Sequence, residues 1–193
     1  MTQVSVIAIG ASLGGLRALQ IVLRALPREL PASVTVAQHR RADPESRLLS
    51  LLARECALPV IEPEDKAPLE KGHVYLAPSD YHLLVERGSL ALSVDPPVQY
   101  ARPSIDVLFE SVADAYGPAA VGVMLTSSSA DGAMGAAAIK RAGGQVLVQD
   151  PETAERPEGA RAGLGLAGGG GVMQIKGIGE ALAWATGCGR PHH

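Results

Sequence analysis

The chain has 193 residues, of which 47% are hydrophobic, 19% charged and 3% aromatic. These values suit one globular domain with a core of Val, Leu, Ile and Ala, and they exclude a low-complexity chain. The formal net charge of −3 argues against a nucleic-acid partner, and no apolar run is long enough to insert into a membrane.

The two cysteines and both ends of the chain bear on its location and its extent. Cys56 and Cys188 lie far apart and fit no metal-ligand spacing, which indicates free thiols in a reducing compartment. The first residues lack the basic and apolar regions of a signal peptide. We therefore expect a cytoplasmic protein with one domain over residues 1–187 and a tail over 188–193.

Short apolar runs alternate with helical patterns in the first part of the chain. Residues 4–9 are continuously apolar, which predicts a strand buried on both faces. Leucines at helical spacing over residues 16–26 predict a helix that ends before Pro27. A second strand is predicted over 34–37 and a second helix over 46–56.

The middle of the chain has a different pattern. Residues 74–77, 82–85 and 90–94 are short apolar runs separated by turn residues, and they predict a meander or hairpin set at one edge of the sheet. Pro103 then opens an amphipathic helix that reaches Tyr116.

The last third returns to strand–helix alternation. Strands are predicted over 121–125, 146–148 and 172–175, helices over 132–141 and 179–185, and a glycine-rich loop over 168–171. The whole pattern predicts an α/β fold: a doubly wound, mostly parallel sheet with helices on both faces and an antiparallel hairpin at one edge.

A serine lies where the first strand turns into the first helix, in the segment Gly10-Ala11-Ser12-Leu13-Gly14-Gly15. This position presents Ser12 at the carboxyl edge of the sheet, where open α/β sheets bind ligands. Three interpretations stay open on this motif alone: a helix N-cap, a nucleotide-phosphate loop, or a nucleophile beside a helix amino terminus. The glycine spacing departs from the dinucleotide fingerprint, because Ser12 occupies the place of its second glycine.

Two further side chains follow strands that end at the same edge. His39 follows the second strand and can act as a general base, or it can be an ordinary loop histidine. Asp131 follows the strand at 121–125 and can orient His39, or it can cap the alanine-rich helix. Arg40 and Arg41 are interpreted as solvated side chains, although they leave an NADP-binding alternative open.

Other titratable residues have simpler interpretations. His73 and His82 flank the predicted hairpin and are expected to be structural or exposed. Asp80 and Asp106 are expected to be turn and helix-start residues. None of these positions has the spacing of a metal site, so we assign neither a metal nor a cofactor.

Five segments, taken in order from about residue 4 to about residue 175, resemble the catalytic domain of the CheB protein-glutamate methylesterases. They are IGASLGG, the QH after the second strand, GHVYLAPSDYHLLVE, ARPSIDVLFESVADAYG and DGAMGAAAIKRAGG. The resemblance implies a serine hydrolase that removes methyl groups from glutamyl esters on chemoreceptor helices in chemotaxis adaptation. Some relatives also deamidate receptor glutamines. The family's nucleophile, base and orienting acid fall on Ser12, His39 and Asp131.

The resemblance also implies oxyanion donors, partners and two departures from the family pattern. The donors are the backbone N–H groups of Leu13 and Ser128. Ser127-Ser128-Ser129 replaces a glycine-containing stretch, and Gly159-Ala160-Arg161 stands where relatives often have Met-Pro. Serine resists conformations that glycine allows, so a catalytically weakened module that only binds its partners is the alternative function.

The family's regulatory receiver domain is not expected in this chain. A receiver domain or a receptor methyltransferase acting in trans is therefore a candidate partner, besides the methylated chemoreceptor helices.

Overall fold

The computed structural model describes residues 3–40, 47–166, 168 and 171–188. Arg41 and most of the predicted tail lie outside the described residues. The strands are β1 Val6–Ala11, β2 Ser33–Gln38, β3 Val60–Ile61, β4 Val74–Leu76, β5 His82–Glu86, β6 Ser89–Ser93, β7 Ala120–Met124, β8 Gln145–Gln149 and β9 Gly171–Met173. The helices are α1 Gly15–Arg24, α2 Arg47–Ala53, α3 Ile105–Tyr116, α4 Ala133–Arg141, α5 Glu158–Leu166 and α6 Ile175–Ala185. Within these ranges, none of the helices has the length and apolar character that crossing a membrane requires.

Seven strands form a parallel sheet in the order β3-β4-β2-β1-β7-β8-β9. The central strands β1, β2 and β7 are buried along their whole length, as expected for strands covered on both faces. The chain continues from β1 to β2 on one side, and β7 lies on the other side of β1. Such a reversal of strand order opens a crevice at the carboxyl ends of the strands.

Helices pack on both faces of this sheet, so the prediction of a doubly wound α/β fold is confirmed. Side chains of β1 alternate between the faces. Ile7 and Ile9 join a core with Leu19 of α1 and with α6, whereas Val6 and Ala8 join a second core with α3, α4 and α5.

The middle of the chain differs in part from the prediction. Strands β5 and β6 form an antiparallel hairpin as expected, but they make a two-stranded sheet of their own that packs on α3. The run at 74–77 does not belong to this hairpin. Its strand, β4, pairs in parallel with β2 and β3, because all three of its residues are apolar enough to be buried on both faces.

Two elements have no counterpart in the sequence prediction. Strand β3 has only two residues, which is too short for a hydrophobic period to register. Helix α5 has the sequence EGARAGLGL, and its glycines have low helix propensity. Tertiary packing rather than local propensity therefore forms this helix.

Candidate active site

Ser12 lies directly after β1, and three hydrogen bonds to its backbone groups fix its position. Its N–H donates to the Thr126 carbonyl at 3.1 Å, and its own carbonyl accepts from the Gly15 N–H and from Gln38 Nε2 at 2.8 and 2.7 Å. The N-cap residue of α1 is Gly14, at a φ of 80°, and no side chain caps the helix there. The interpretation of Ser12 as the helix N-cap is therefore wrong, and its hydroxyl is available for another role.

The structure brings Ser12, His39 and Asp131 into one hydrogen-bonded series. His39 Nδ1 lies 3.1 Å from Ser12 Oγ, and His39 Nε2 lies 2.6 Å from Asp131 Oδ2. The His39 N–H continues the strand ladder by donating to the Ala11 carbonyl at 3.0 Å. Strand β2 therefore fixes the backbone from which the imidazole reaches both partners.

Asp131 has no exposed surface and accepts four hydrogen bonds. Oδ1 accepts from Ser104 Oγ at 2.8 Å and from the Asp106 N–H at 3.0 Å, while Oδ2 accepts from the Ile105 N–H at 2.7 Å and from His39. Burial raises the pKa of Asp131, but these hydrogen bonds outweigh burial and hold the pKa below its ordinary value. The carboxylate is thus ionised and can only accept, so the ring proton of neutral His39 is on Nε2. His39 Nδ1 is left with a free lone pair toward the serine hydroxyl.

Asp131 does bind the amino terminus of a helix, but not of the one that the sequence indicated. The N–H groups that it binds open α3, whereas the N–H groups of Gly132 and Gly135 at the start of α4 donate to Asp106 Oδ1, both at 2.8 Å. Asp131 therefore binds the start of α3, the helix that contains Asp106, and Asp106 binds the start of α4, the helix that follows Asp131. The alternative that Asp131 caps α4 is wrong, because two helix amino termini meet at this point and chain order does not decide which carboxylate each of them binds.

Asp106 is a buried carboxylate, 4% exposed, next to this series. The pKa of Asp106 is raised to about 6, first by burial and then by the negative charge of Asp131, while hydrogen bonds from the Gly135 and Gly132 N–H groups act in the opposite direction. Its Oδ2 accepts from Gln99 Nε2 at 2.8 Å. The residue is therefore more than the simple helix-start position that the sequence indicated.

The serine loop at 127–129 keeps an ordinary backbone. None of its residues has a positive φ, so serine is compatible with the conformation at each position. Ser127 Oγ donates to the Ser129 carbonyl and accepts from the Ser129 N–H, and Ser129 Oγ accepts from the Asp131 N–H. The serine side chains thus stabilise the loop that precedes Asp131.

The loop also packs on the second departure from the family pattern. The Gly159 N–H donates to the Ser127 carbonyl at 2.8 Å. A Cβ placed on Gly159 would lie 2.5 Å from Ser127 Cβ and 2.8 Å from the Ser129 carbonyl oxygen. The serine loop and Gly159 therefore fit each other.

A cleft of about 570 Å³ opens above Ser12. Its lining includes His39, Leu13 and Ser128. Across the described part of the chain, neither the Leu13 N–H nor the Ser128 N–H donates a hydrogen bond to the protein. Two residues of the cleft lining thus have backbone N–H groups without a protein acceptor.

Arg40 does not behave as a solvated surface residue. Its side chain is 9% exposed and pairs with Glu62, and its Nη2 donates to the Ala77 carbonyl at 2.9 Å. These contacts bind the guanidinium to the protein and weaken the NADP-binding alternative, which needs an arginine free for a phosphate. Arg41 lies outside the described residues.

Sequence patterns did not reveal several residues that support the site. Ser104 and Gln38 bind Asp131 and Ser12 directly. His82 is buried, accepts from the Ser104 N–H at 3.2 Å on Nδ1, and faces the Pro96 carbonyl at 3.2 Å with Nε2. The available signal was Ser104, one residue before a predicted helix and thus a typical N-cap. In the described ranges, no three His, Cys, Asp or Glu residues are grouped as a metal site would need.

A hydrogen-bonded serine, histidine and buried aspartate at the carboxyl edge of a parallel sheet is the arrangement of a serine hydrolase. The chain belongs to the CheB methylesterase family, whose sequence profile matches residues 7–182. The crystal structure of the Thermotoga maritima CheB methylesterase catalytic domain superposes with a TM-score of 0.88 at 29% identity, covering 94% of this chain and 98% of that one.

Relatives of known name are similar over most of the chain. A protein-glutamate methylesterase/protein-glutamine glutaminase of Anaeromyxobacter dehalogenans is 43% identical over 184 residues, 95% of this chain and 54% of that protein. The protein-glutamate methylesterase FrzG of Myxococcus xanthus is 41% identical over 145 residues, 75% of this chain and 43% of its own length. The chain thus spans about half the length of these two relatives.

Proposed function

We propose that this chain is a protein-glutamate methylesterase that hydrolyses glutamyl γ-methyl esters on chemoreceptor cytoplasmic helices, with Ser12 as nucleophile. The observation that carries the proposal is the hydrogen-bonded series from Ser12 Oγ through His39 to the buried Asp131. Membership of the CheB methylesterase family supports the choice of ester. The enzyme would act in the cytoplasm, where those receptor helices lie.

The first half of the reaction forms an acyl-enzyme. Ser12 Oγ attacks the ester carbonyl carbon while its proton passes to His39 Nδ1. Asp131 stabilises the resulting imidazolium, because its carboxylate already accepts from Nε2. As the C–OCH₃ bond breaks, His39 returns the proton to the leaving oxygen and methanol departs.

The second half regenerates the enzyme. Water attacks the acyl carbon and gives a proton to His39 Nδ1, which then protonates the departing Ser12 oxygen. The product is a free glutamate side chain, and its carboxyl proton is lost to solvent. A glutamine side chain would follow the same course with ammonia as the leaving group.

Charge that develops on the carbonyl oxygen needs donors in both halves. We assign this role to the N–H groups of Leu13 and Ser128, because both residues line the cleft beside Ser12 and neither N–H has a protein acceptor in the described chain. Removing one such donor typically costs about 100- to 1,000-fold in turnover. The ordinary φ values of the serine loop support an intact donor at Ser128.

The test is methanol release from a methylated chemoreceptor fragment, with wild type beside Ser12→Ala and Ser129→Ala. Ser129 lines the same cleft without contacting His39, but its Oγ accepts from the Asp131 N–H, so its variant should lose no more than about tenfold in turnover. Ser12→Ala should lose hydrolysis by about 10⁴-fold or more. Wild-type protein that binds the fragment but releases no methanol would instead indicate the weakened module that only binds its partners.

We also propose regulatory partners for the enzyme. A receiver domain or a receptor methyltransferase acting in trans would regulate the esterase. Co-purification of the chain with a receiver-domain protein, and a change of turnover when that protein is phosphorylated, would support this arrangement.

A further inference from the structure

An exposed aromatic residue stands at the mouth of the cleft. Tyr100 lines the same cleft as Ser12, yet its side chain is fully exposed. Ser12 is only 7% exposed and thus lies deep, whereas Leu13, which also lines the cleft, is 56% exposed. A substrate side chain that reaches Ser12 would therefore place its backbone beside two exposed apolar side chains.

The backbone around Tyr100 forms a tight turn of an uncommon kind. Val98 and Ala101 exchange two backbone hydrogen bonds, of 3.1 and 2.9 Å, and leave Gln99 and Tyr100 at the tip. Both tip residues have positive φ, 46° and 65°, as in a type I′ turn, which usually takes Asn and Gly. Gln99 Nε2 donates to the buried Asp106 and so ties the tip to the body of the protein.

The segment that leads into this turn is fixed at further points. Arg102 Nη1 donates to the Val94 and Asp95 carbonyls at 2.8 and 3.0 Å. The buried His82 faces the Pro96 carbonyl at 3.2 Å. The backbone that carries the Tyr100 ring is therefore fixed before binding, which reduces the entropic cost of contact with a partner.

We propose that Tyr100 is a specificity-determining residue: its ring contacts the receptor helix that carries the methyl ester and holds the ester over Ser12. This proposal rests on the proposed function. A cleft of about 570 Å³ falls within the range of pockets that take drug-sized ligands, so it exceeds what one glutamyl side chain needs. The remaining volume and the exposed rim fit the surface of a protein substrate.

The experiment compares Tyr100→Asn with Tyr100→Phe on two substrates. Asn tolerates positive φ, so Tyr100→Asn removes the ring and keeps the turn, while Tyr100→Phe keeps both. The substrates are a methylated chemoreceptor fragment, followed by methanol release, and p-nitrophenyl acetate, which has no helix to bind. Wild-type protein is measured first on both substrates.

Tyr100→Asn should lower kcat/KM on the receptor fragment by about 10- to 30-fold, mainly through KM, as loss of an aromatic anchor does. Its kcat/KM on p-nitrophenyl acetate should stay within about twofold, and Tyr100→Phe should resemble wild type on both. An unchanged KM on the receptor fragment would overturn the proposal, as would an equal loss on both substrates. Wild type that cleaves p-nitrophenyl acetate but not the receptor ester would contradict the proposed function itself, and the docking role with it.

Discussion

The ring of His39 is oriented by Asp131, whose ionised carboxylate can accept hydrogen bonds but cannot donate them. With its pKa held low by four hydrogen bonds, Asp131 accepts and never donates, so Nε2 keeps its proton and Nδ1 faces Ser12 without one. The buried Asp131 thus determines the direction of every hydrogen bond in the series. A substitution at Asp131 should therefore change the reactivity of Ser12, although Asp131 lies 92 residues from His39 in the sequence.

Asp131→Asn tests this residue-scale inference. The substitution replaces one carboxylate oxygen of Asp131 by an N–H₂ group, which faces the hydrogen-bond donors that this oxygen accepted from. It also removes the negative charge that stabilises the His39 imidazolium. Turnover should fall by about 10⁴-fold, and the free energy of unfolding should fall by about 1–3 kcal/mol because a buried N–H loses its acceptor. Steady-state kinetics and urea unfolding measure the two effects.

Ser104→Ala is the matched control. It removes one hydrogen bond to Asp131 and the cap of α3, at a cost of about 1 kcal/mol, but leaves the carboxylate bound to His39. Its turnover should stay within about tenfold of wild type. Asp131→Asn with near-normal turnover would show that Asp131 only supports the fold.

At the scale of elements, α3 and α4 are joined because the amino terminus of each binds the carboxylate at the start of the other. Asp131, before α4, binds the amino terminus of α3, and Asp106, in the first turn of α3, binds the amino terminus of α4. Two helix dipoles therefore converge on two carboxylates. This favours both charges, but burial and mutual repulsion disfavour the charge on Asp106.

Asp106→Asn should reveal, in the pH dependence of the free energy of unfolding, how much the buried charge on Asp106 destabilises the fold. Because the pKa of Asp106 is raised to about 6, the native state keeps a proton that the unfolded state releases above roughly pH 4. The contribution of Asp106 to the free energy of unfolding is therefore complete at low pH and is lost as pH rises through about 6. The difference between wild type and Asp106→Asn should fall over this interval and then level off.

Asp106→Ala separates charge from capping. Asn keeps an oxygen for the Gly132 and Gly135 N–H groups, and its N–H₂ can donate to Gln99 once that amide turns. Ala removes the acceptor, so this variant should be less stable than Asp106→Asn at every pH, by about 1–3 kcal/mol. A pH-independent difference between wild type and Asp106→Asn would contradict the raised pKa.

Helix α5 offers a matched pair of glycines. A Cβ on Gly159 would collide with Ser127 and the Ser129 carbonyl, whereas a Cβ on Gly165 meets nothing within 4 Å. Gly159→Ala should lower the free energy of unfolding by about 1–3 kcal/mol and slow turnover by displacing the loop that carries Ser128. Gly165→Ala should leave turnover unchanged and add at most about 1 kcal/mol of stability. Thermal unfolding and methanol release check both, and equal behaviour of the two variants would refute the fit between α5 and the serine loop.

At the scale of the whole molecule, hydrophobic periodicity predicted the parallel sheet, its coverage by helices and the edge at which Ser12, His39 and Asp131 meet. Periodicity failed for elements that form through tertiary contacts and not through their local sequence. Periodicity places the run at 74–77 in the hairpin, because a short apolar run does not specify its partner strand. It gives no signal for α5, because the glycines of this helix weaken the local pattern.

The site was predictable to a similar degree. Strand ends predicted that the three residues of the hydrogen-bonded series share one edge of the sheet, since parallel strands bring their carboxyl ends together. The resemblance to the CheB catalytic domains then assigned their roles. The binding of Asp106 and Asp131 to the two helix amino termini and the tether from Gln99 to Asp106 depend on contacts between helices and loops. No spacing along the chain encodes such contacts.

The central claim is that His39 and Asp131 activate Ser12, and the most direct measurement is where a fluorophosphonate probe attaches to the protein. Such probes react with activated serines and leave ordinary hydroxyls unmodified. Peptide mapping by mass spectrometry should find the adduct on Ser12, with Ser128 and Ser129 of the same cleft unmodified. An unlabelled Ser12, or an adduct on one of the loop serines instead, would contradict the account.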